Sequence, residues 1–571
     1  MLGGSSAPRA TCMTDTPSRT PIALHAGADA TFPTLTPAQM ARVASHGKVR
    51  KVDAGEVLFR AGEQAIQFFV VTAGRLEAVR ESAAGEEFLI DLRPGQFSGE
   101  VTTLAGRQVL VTMRAAESGE VIEVGRDELL SLVQADSELS DLFVRAFIFR
   151  RLDLMAHGVG DVVLIGSVHS PGTLRIKEFL TRNDHPYAYV DLDRDASVQD
   201  LLDRFHVRVE DVPVVICRGT VVLRNPTNGE IAACLGFNEA IDQTHTRDVI
   251  IVGAGPAGLA AAVYAASEGL DVVMVEMSAP GGQAGSSSKI ENYLGFPAGI
   301  SGQELADRAY LQAQKFGAQI IIAKAATRLA CDRRPYRIEF DDDSHVAART
   351  IIVASGAEYR RLSVAQPLRF EGASVYYGAT FVEAQLCQGE DVIVVGGGNS
   401  AGQAAVYLAQ TARRVDMLVR SSGLAQSMSR YLIRRIEESR TIFVHPHTEI
   451  LALEGEAHLA RVRWRDTQTG RIEEHDVQHV FAMLGAVPNT RWVTGCLALD
   501  ADGFIKTGTD FFRDDLTEVG WPLARAPHLL EASIPGVFAV GDVRAGSIKR
   551  VASAVGEGSI AVSFVHHVLA E

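Results

Sequence analysis

The sequence predicts an α/β protein with two Rossmann-like dinucleotide-binding domains, preceded by a β-roll domain and a small α/β domain. Three observations predict this order. In residues 247–571, two glycine-rich loops each follow a run of apolar residues and precede an alanine-rich stretch. Residues 50–128 hold short apolar runs separated by glycines, as in a β-roll or barrel. Residues 160–240 alternate strand-like and helix-like patterns.

The composition excludes several classes of function. The 571 residues carry 55 Lys and Arg against 70 Asp and Glu, a net charge of −15, and this disfavours binding of nucleic acid, which needs a basic surface. No run of about 18 apolar residues is present, so we expect no membrane span. Residues 1–33 predict a disordered tail without the apolar segment of a secretory signal, and we expect a cytoplasmic protein.

The first glycine-rich loop predicts a dinucleotide site. It reads Gly253-Ala254-Gly255-Pro256-Ala257-Gly258 and follows the apolar run 248–252. Gly253 permits the tight turn, Gly255 lets a pyrophosphate approach the backbone, and Gly258 allows the helix to pack closely on the strand. Glu276 ends the next strand, about 20 residues further on, where a carboxylate accepts hydrogen bonds from a ribose diol.

The second loop repeats the pattern with one difference. It reads Gly396-Gly397-Gly398-Asn399-Ser400-Ala401, with alanine at the third glycine position. The position that corresponds to Glu276 is Val419, and Arg420 follows it. A missing carboxylate beside an arginine favours a ribose 2′-phosphate, hence NADPH over NADH. Arg420 as a solvated surface cation is the alternative, and Arg430, Arg434 and Arg435 are other candidates for the phosphate.

Residues 247–571 resemble the low-molecular-weight thioredoxin reductases. The matching segments are Gly253 to Gly258, Pro280-Gly281-Gly282-Gln283, Glu291-Asn292-Tyr293, Ala354-Ser355-Gly356-Ala357, Gly396 to Ala401, and Pro535 to Asp542. The resemblance implies a discontinuous FAD domain (247–362 and 488–571), an inserted NADPH domain (363–487), and a homodimer. It also implies that FAD is placed by Gly282, Gln283, Asn292, Ala354, Gly356, Gly541, Asp542, Arg550 and Val551, together with the first loop and Glu276.

The sequence departs from that family at the reactive dithiol. The family carries Cys-Ala-Thr-Cys shortly before the NADPH loop, and Gly378-Ala379-Thr380-Phe381 stands there instead. Neither glycine nor phenylalanine can attack or resolve a disulfide. The six cysteines are at positions 12, 217, 234, 331, 387 and 496, and no two are spaced Cys-x-x-Cys. We expect Cys331, Cys387 and Cys496 to be buried, inert thiols.

The small α/β domain, 157–242, has lost a dithiol as well. It resembles glutaredoxin and thioredoxin domains, with Pro213 at the position of a cis-proline. Where their Cys-x-x-Cys opens the first helix, this chain has Ser170-Pro171-Gly172-Thr173. The neighbouring His169 is interpreted as a solvated loop residue. The loss of both dithiols argues against a thiol relay.

The N-terminal domain, 34–156, resembles cyclic-nucleotide-binding domains. The resemblance depends on Gly55, Gly62, Gly74 and the segment Phe97-Ser98-Gly99-Glu100. The family's phosphate-binding arginine aligns with Val109, and Arg107 or Arg114 would need a shifted loop. Without that arginine the strongest contact to the phosphate is lost. We therefore expect a structural or interaction module, with cyclic-nucleotide binding as the alternative.

Together these features predict an FAD-dependent oxidoreductase that takes hydride from NADPH, with no catalytic acid, base or metal ligand in that step. The acceptor is left open between a quinone, an iron–sulfur or flavin protein, a directly bound disulfide, and oxygen. Ferredoxin–NADP reductases of this architecture have a C-terminal extension over the flavin, and the chain ends at Glu571, which disfavours that acceptor. Two alternatives are a thioredoxin reductase that uses a non-standard cysteine, and a flavin-based sensor or scaffold.

Overall fold

The computed structural model describes residues 31–63, 67–82, 85–99, 103, 109–156, 162–167, 170–192, 211–217, 221–287, 289–364, 369–379, 381–456 and 458–571. Most of the predicted tail lies outside these residues, as do Glu100, Arg107, His169 and Thr380. Helices and strands are numbered in chain order among the described residues.

The N-terminal domain is an antiparallel β-roll with helices beside it. Its strands pair in the order β1-β5-β3-β4, with β2 also on β5. The elements are α1 (Pro37–Ala44), β1 (Lys48–Val52), β2 (Val57–Phe59), β3 (Gln67–Ser82), β4 (Gly85–Leu92), β5 (Thr112–Gly125), α2 (Arg126–Ala135) and α3 (Ser137–Ala156). The sequence predicts one helical stretch after the roll, from Arg126 to His157. The structure divides it, because Asp136 has extended backbone and its carboxylate accepts the Leu139 N–H at 3.0 Å, which caps α3.

The small α/β domain has a four-stranded sheet in the order β7-β6-β8-β9. Its elements are β6 (Val162–Gly166), α4 (Pro171–Arg182), β7 (Ala188–Asp191), β8 (Val214–Cys217), β9 (Val221–Arg224) and α5 (Asn228–Leu235). The Val212–Pro213 peptide is cis, as the resemblance implied. The sequence also predicts a helix between the second and third strands of this domain, and residues 193–210 there lie outside the described residues.

A seven-stranded sheet carries the first glycine-rich loop. Its order is β12-β11-β10-β15-β14-β13, with β26 on β15. The elements are β10 (Thr246–Val252), α6 (Pro256–Ser267), β11 (Val272–Glu276), α7 (Gly282–Gly285), α8 (Gly302–Lys315), β12 (Gln319–Ile322), β13 (Ala326–Ala330), β14 (Tyr336–Phe340) and β15 (His345–Val353). Strand β26 (Val537–Ala539) comes from the end of the chain and pairs in parallel with β15. The sheet is therefore built from two separate parts of the sequence.

The second loop lies in a parallel sheet of order β17-β24-β18-β19-β20. Its elements are β17 (Val375–Tyr376), α9 (Phe381–Leu386), β18 (Asp391–Val395), α10 (Asn399–Leu408), β19 (Arg414–Val419), α11 (Arg430–Glu438), β20 (Ile442–Pro446) and β24 (His479–Ala482). A three-stranded antiparallel sheet, β21 (Thr448–Gly455), β22 (Leu459–Asp466) and β23 (Ile472–His475), lies between β20 and β24 in sequence. Strands β16 (Ala357–Tyr359) and β25 (Ala486–Pro488) pair where the chain enters and leaves this region. Helices α12 (Arg513–Glu518) and α13 (Val551–Ala570) complete the fold. The predicted α/β fold class is confirmed.

The front domains are held against the rear of the molecule. The small α/β domain shares one hydrophobic core with the sheet of the first loop, in which Phe179 and Leu180 of α4 join Val249 and Leu259. Burial of this apolar surface fixes α4 beside the first loop. The β-roll domain docks through α8, where Lys315 Nζ donates to Ser140 Oγ at 2.7 Å.

Candidate active site

The first loop needs its glycines for physical reasons. Gly253 has φ +105°, and a Cβ there would lie 2.3 Å from the Ala354 carbonyl oxygen. A Cβ on Gly258 would lie 1.9 Å from the Gly253 oxygen. By contrast, the nearest atom to a Cβ on Gly255 would be 4.0 Å away. Gly255 also begins α6 without a side-chain cap, so the first N–H groups of the helix have space above them for a phosphate.

Glu276 lies where a ribose diol is expected. It ends β11, is buried, and accepts hydrogen bonds from the N–H groups of Ala254 at 2.8 Å and Ser278 at 2.9 Å. Burial raises the pKa of this carboxyl above its ordinary value. Each carboxylate oxygen retains a lone pair for a hydroxyl donor.

The second loop has the same backbone plan as the first, with more open space beside Gly398, the second glycine of the loop motif. Gly396 has φ +137°, and a Cβ there would lie 2.4 Å from the Met483 oxygen. A Cβ on Gly398 would meet nothing within 4 Å, and this residue begins α10 without a side-chain cap. Ala401 is fully buried against the loop. Asn399 Oδ1 accepts the Ser429 N–H at 2.7 Å and so ties the loop to the start of α11.

The arginines that are candidates for binding a ribose phosphate differ in their surroundings. Arg420 lines the cavity above the second loop together with Ser421 and Ser427. Arg435 forms a two-pronged ion pair with Glu291, at 2.6 and 2.8 Å, and is therefore committed elsewhere. The geometry favours Arg420 as the cation for a ribose phosphate.

Both loops open into one cavity of about 1430 Å³. Tyr359 of β16, Ser400 of the second loop and Asp542 of the turn after β26 all line this cavity. Burial raises the pKa of Tyr359, the nearby Ser400 hydroxyl lowers it, and the nearby Asp542 carboxyl raises it. Residues from the surroundings of both loops therefore lie close to Tyr359.

The turn after β26 lies on the far wall of that cavity. Gly541 has φ +71°, and a Cβ there would lie 3.0 Å from Ala257 Cβ. Burial raises the pKa of Asp542, whose carbonyl oxygen accepts a hydrogen bond from Lys549 Nζ at 3.0 Å. Arg550 and Val551 begin α13 and also face the cavity.

The structure brings most of the predicted site residues to one place. Those that line the cavity are Gly253, Gly255, Pro256, Ala257, Glu276, Gly282, Gln283, Ala354, Gly356, Gly396, Gly398, Asn399, Ser400, Arg420, Gly541, Asp542, Arg550 and Val551. Gly258 and Ala401 are packing positions beneath the loops. Asn292 differs, because it is exposed on the loop before α8 and is not among the lining residues.

Other lining residues were not predicted. Ser355 and Asn489 exchange hydrogen bonds at 2.8 and 2.9 Å and join the two parts of the first nucleotide-binding domain. Ser355 lies in the segment Ala354-Ser355-Gly356-Ala357 that resembles the thioredoxin reductases, whereas Asn489 lies in no sequence motif that would have predicted its place in the site. The small α/β domain supplies a further wall, formed by Pro171, Leu174, Arg175, Glu178 and Arg182.

None of Cys331, Cys387 and Cys496 lines the cavity. Gly378 lines the cavity, and α9 begins at Phe381. Cys387, at the end of that helix, is fully buried, and burial raises the pKa of its thiol well above the ordinary range. The expectation that Cys331 and Cys496 are separate thiols is wrong, because they form a disulfide with Cα atoms 6.1 Å apart. The return of the chain after the second domain brings these distant positions together.

In the β-roll domain, the alternative phosphate arginine is already paired. Arg114 donates to Glu77 at 2.6 Å and to Glu86 at 2.9 Å. Val109, at the aligned position, is a buried core residue. Among the described helices, none combines the length and the apolar character needed to cross a membrane.

Comparisons with known proteins agree with this geometry. Residues 247–558 match the pyridine nucleotide-disulphide oxidoreductase family, and residues 49–136 match the cyclic nucleotide-binding domain. Thioredoxin reductase of Bacillus subtilis is 32% identical over 325 residues, which are 57% of this chain and 95% of that protein. That of Treponema pallidum is 33% identical over 317 residues, 55% of this chain and 94% of that protein.

Solved structures give the same result. Lactococcus lactis thioredoxin reductase in the FR conformation matches 57% of this chain and 99% of its own, with 26% identity and a TM-score of 0.51. T. acidophilum thioredoxin reductase gives the same values. The chain belongs to the pyridine nucleotide-disulphide oxidoreductase family. Within that family its rear half is thioredoxin reductase-like, and it is an FAD-dependent NAD(P)H oxidoreductase.

Proposed function

We propose that the protein moves electrons from NADPH through FAD to an acceptor without any thiol intermediate. The observation that carries this proposal is that both loops line one cavity, together with Tyr359 and Asp542. FAD bound at the first loop would accept a hydride from the nicotinamide and hand the electron pair on.

The chain's own residues hold and orient the two nucleotides. The open backbone at Gly255 and Gly398 suits two diphosphates, since each begins a helix whose first N–H groups lack a side-chain cap. Glu276 would accept from a ribose diol, and Arg420 would pair with a 2′-phosphate. Hydride transfer depends on positioning and exclusion of water, so no acidic or basic side chain is required.

Without the dithiol, the protein lacks the cysteine pair with which thioredoxin reductases would pass electrons to a disulfide. Cys387 is buried with a raised thiol pKa, and Cys331 is bonded to Cys496. Replacing Cys331, Cys387 and Cys496 together by serine should leave NADPH oxidation unchanged. A loss of disulfide reduction in that variant would instead favour a thioredoxin reductase with a non-standard cysteine.

The acceptor is tested by anaerobic photometry. The flavin is first reduced with NADPH, and a quinone, a disulfide and oxygen are then offered separately while its reoxidation is followed. We expect reoxidation by an acceptor that needs no protein thiol. Reoxidation only by the disulfide, and only while cysteines are intact, would contradict the proposal.

The proposal includes a homodimer, as the resemblance implies, and a cytoplasmic location, as the composition of the N-terminal residues predicts. Tyr264 on α6 and Ile560 on the adjacent α13 are about half exposed and offer apolar surface for a second copy. Sedimentation of the wild type and of Ile560→Glu should give a dimer and a monomer-rich sample respectively. Equal dimer content in both would exclude this surface.

A further inference from the structure

We propose that Arg182 of the small α/β domain binds the diphosphate of FAD, so that this domain is part of the flavin site. The inference rests on the proposed binding of FAD at the first loop. It gives a domain that has lost its dithiol a role in holding the cofactor.

Arg182 lies at the end of α4 and reaches the FAD side of the cavity. Its Nη2 donates to the Gly282 carbonyl oxygen at 2.8 Å. A Cβ on Gly282 would lie 3.0 Å from Gly255 Cα, so Gly282 borders the backbone on which a diphosphate is expected. The guanidinium therefore stands beside the phosphate position, although it comes from another domain.

The charge of Arg182 is only weakly compensated within the chain. Its side chain is 16% exposed, and among the described residues the carboxylate in ion-pair range is Glu178, at 3.5 Å. Its Nε is buried and finds no hydrogen-bond partner among the residues that the structure describes. A mostly buried guanidinium with an unused donor is costly unless an anion completes its contacts. A diphosphate has the charge and the acceptor oxygens for this.

The cation also lies on the side of the cavity expected for FAD. Arg182 is close enough to Glu276 to oppose the rise in that carboxyl's pKa that burial causes. Glu276 marks the first nucleotide site, and Arg420 marks the second. FAD, rather than the NADPH diphosphate, is therefore the ligand that Arg182 meets.

The small α/β domain is fixed well enough to present this arginine. Asn183 Nδ2 donates to the Ser278 oxygen at 3.2 Å, and Gln303 Nε2 donates to the Arg182 oxygen at 3.1 Å. Further along, Asn238 and Ile322 exchange hydrogen bonds at 2.7 and 2.8 Å. With the shared hydrophobic core, these bonds hold α4 in place without the ligand.

The test is titration of the full-length apoprotein with FAD, followed by quenching of flavin fluorescence at low and high salt. Arg182→Ala should weaken FAD binding about tenfold to a hundredfold, the range of a charge-assisted hydrogen bond, and should reduce the salt dependence. Arg182→Lys keeps the charge without the planar fork and should lose less. The KM for NADPH should not change in either variant.

Two controls separate a ligand contact from a docking contact. Lys177→Ala removes a cation of α4 that lies over the Tyr189 ring and is not among the lining residues. Gln303→Ala removes a docking bond but leaves the guanidinium. Both should bind FAD like the wild type, and thermal melting without FAD checks that each variant is folded.

The results distinguish a failure of the proposed role of Arg182 from a failure of the proposed FAD-dependent function. Wild-type affinity in Arg182→Ala, or an equal loss in Gln303→Ala, would overturn the role of Arg182. If Arg182→Ala does not fold, wild-type affinity in Arg182→Lys would overturn it. If the wild-type apoprotein itself binds no FAD, the proposed function fails instead.

Discussion

The two glycine-rich loops have the same backbone plan but different surroundings. Both turn at a glycine with positive φ, +105° at Gly253 and +137° at Gly396, and both start a helix at a glycine without a side-chain cap. They differ where the following strand ends, since β11 ends in the buried Glu276, whereas Arg420 follows β19. The shared backbone suits any dinucleotide diphosphate, while the residue at the strand end selects the ribose.

The loops differ again in their contact with the rest of the chain. The first is part of a sheet that shares a core with the small α/β domain, and Arg182 reaches its edge. The second is connected through the β16–β25 pair and the ion pair between Arg435 and Glu291. The surroundings of the first loop are therefore fixed by a shared hydrophobic core, whereas those of the second are connected through a strand pair and an ion pair.

The largest effect is expected at the third glycine position of the loop motif, which is Gly258 in the first loop and Ala401 in the second. Gly258→Ala would place Cβ 1.9 Å from the Gly253 oxygen, so the loop must distort and FAD binding should be abolished. Ala401→Gly should cost only about 1 kcal/mol, the usual price of glycine in a helix. Flavin content and thermal melting measure both. Full flavin content in Gly258→Ala would show that the first loop is no tighter than the second.

Arg420→Ala should change the choice of nicotinamide. Losing a charge-assisted contact of about 1.5–3 kcal/mol predicts an increase of about tenfold to a hundredfold in the KM for NADPH. The KM for NADH should stay the same, because NADH has no 2′-phosphate. Arg435→Ala is the matched control and should alter neither value. An equal effect on both nucleotides would mean that Arg420 acts on the fold rather than on the phosphate.

Glu276→Gln should weaken FAD binding about tenfold through the weaker acceptor at the ribose. The wild type should also bind FAD less tightly at acid pH, because protonation removes the carboxylate. Since burial raises the pKa of Glu276, this loss should begin at a higher pH than for an ordinary glutamate. The affinity of Glu276→Gln should fall less than that of the wild type over the same range, because Asp542 at this site still titrates. A wild-type affinity that does not change on acidification would argue against a ribose contact.

The contact between the small α/β domain and the first site contains an acidic pair. Burial raises the pKa of Asp307 well above its ordinary value, and Asp184 adds to the rise. Because the folded pKa exceeds the unfolded one, the carboxyl destabilises the fold increasingly as the pH rises above about 4. Asp307→Asn should therefore stabilise the protein by about 1 kcal/mol at pH 7 and by nothing near pH 3. Thermal melting at both values checks the sign, and equal shifts would exclude titration as the cause.

The local parts of the site were predictable and the distant ones were not. The loops and Glu276 follow from short segments, because a strand, a turn and a helix leave a pattern within about 30 residues. The sequence alone could not separate Arg420 from Arg435, because the ion pair that engages Arg435 is formed with Glu291 of another domain. The disulfide joins cysteines 165 residues apart, and no spacing rule connects Cys331 with Cys496. The wall formed by α4 depends on how domains dock, which periodicity does not encode.

The central claim is that a hydride passes from NADPH at the second loop to FAD at the first loop, and that no cysteine takes part in this step. Its most direct test is anaerobic stopped-flow mixing of NADPH with the variant in which Cys331, Cys387 and Cys496 are all replaced by serine. We predict that the oxidised-flavin absorbance disappears faster than about 1 per second, as in the wild type. A wild type that takes up no flavin, or a folded, flavin-loaded variant whose flavin is no longer reduced, would contradict the claim.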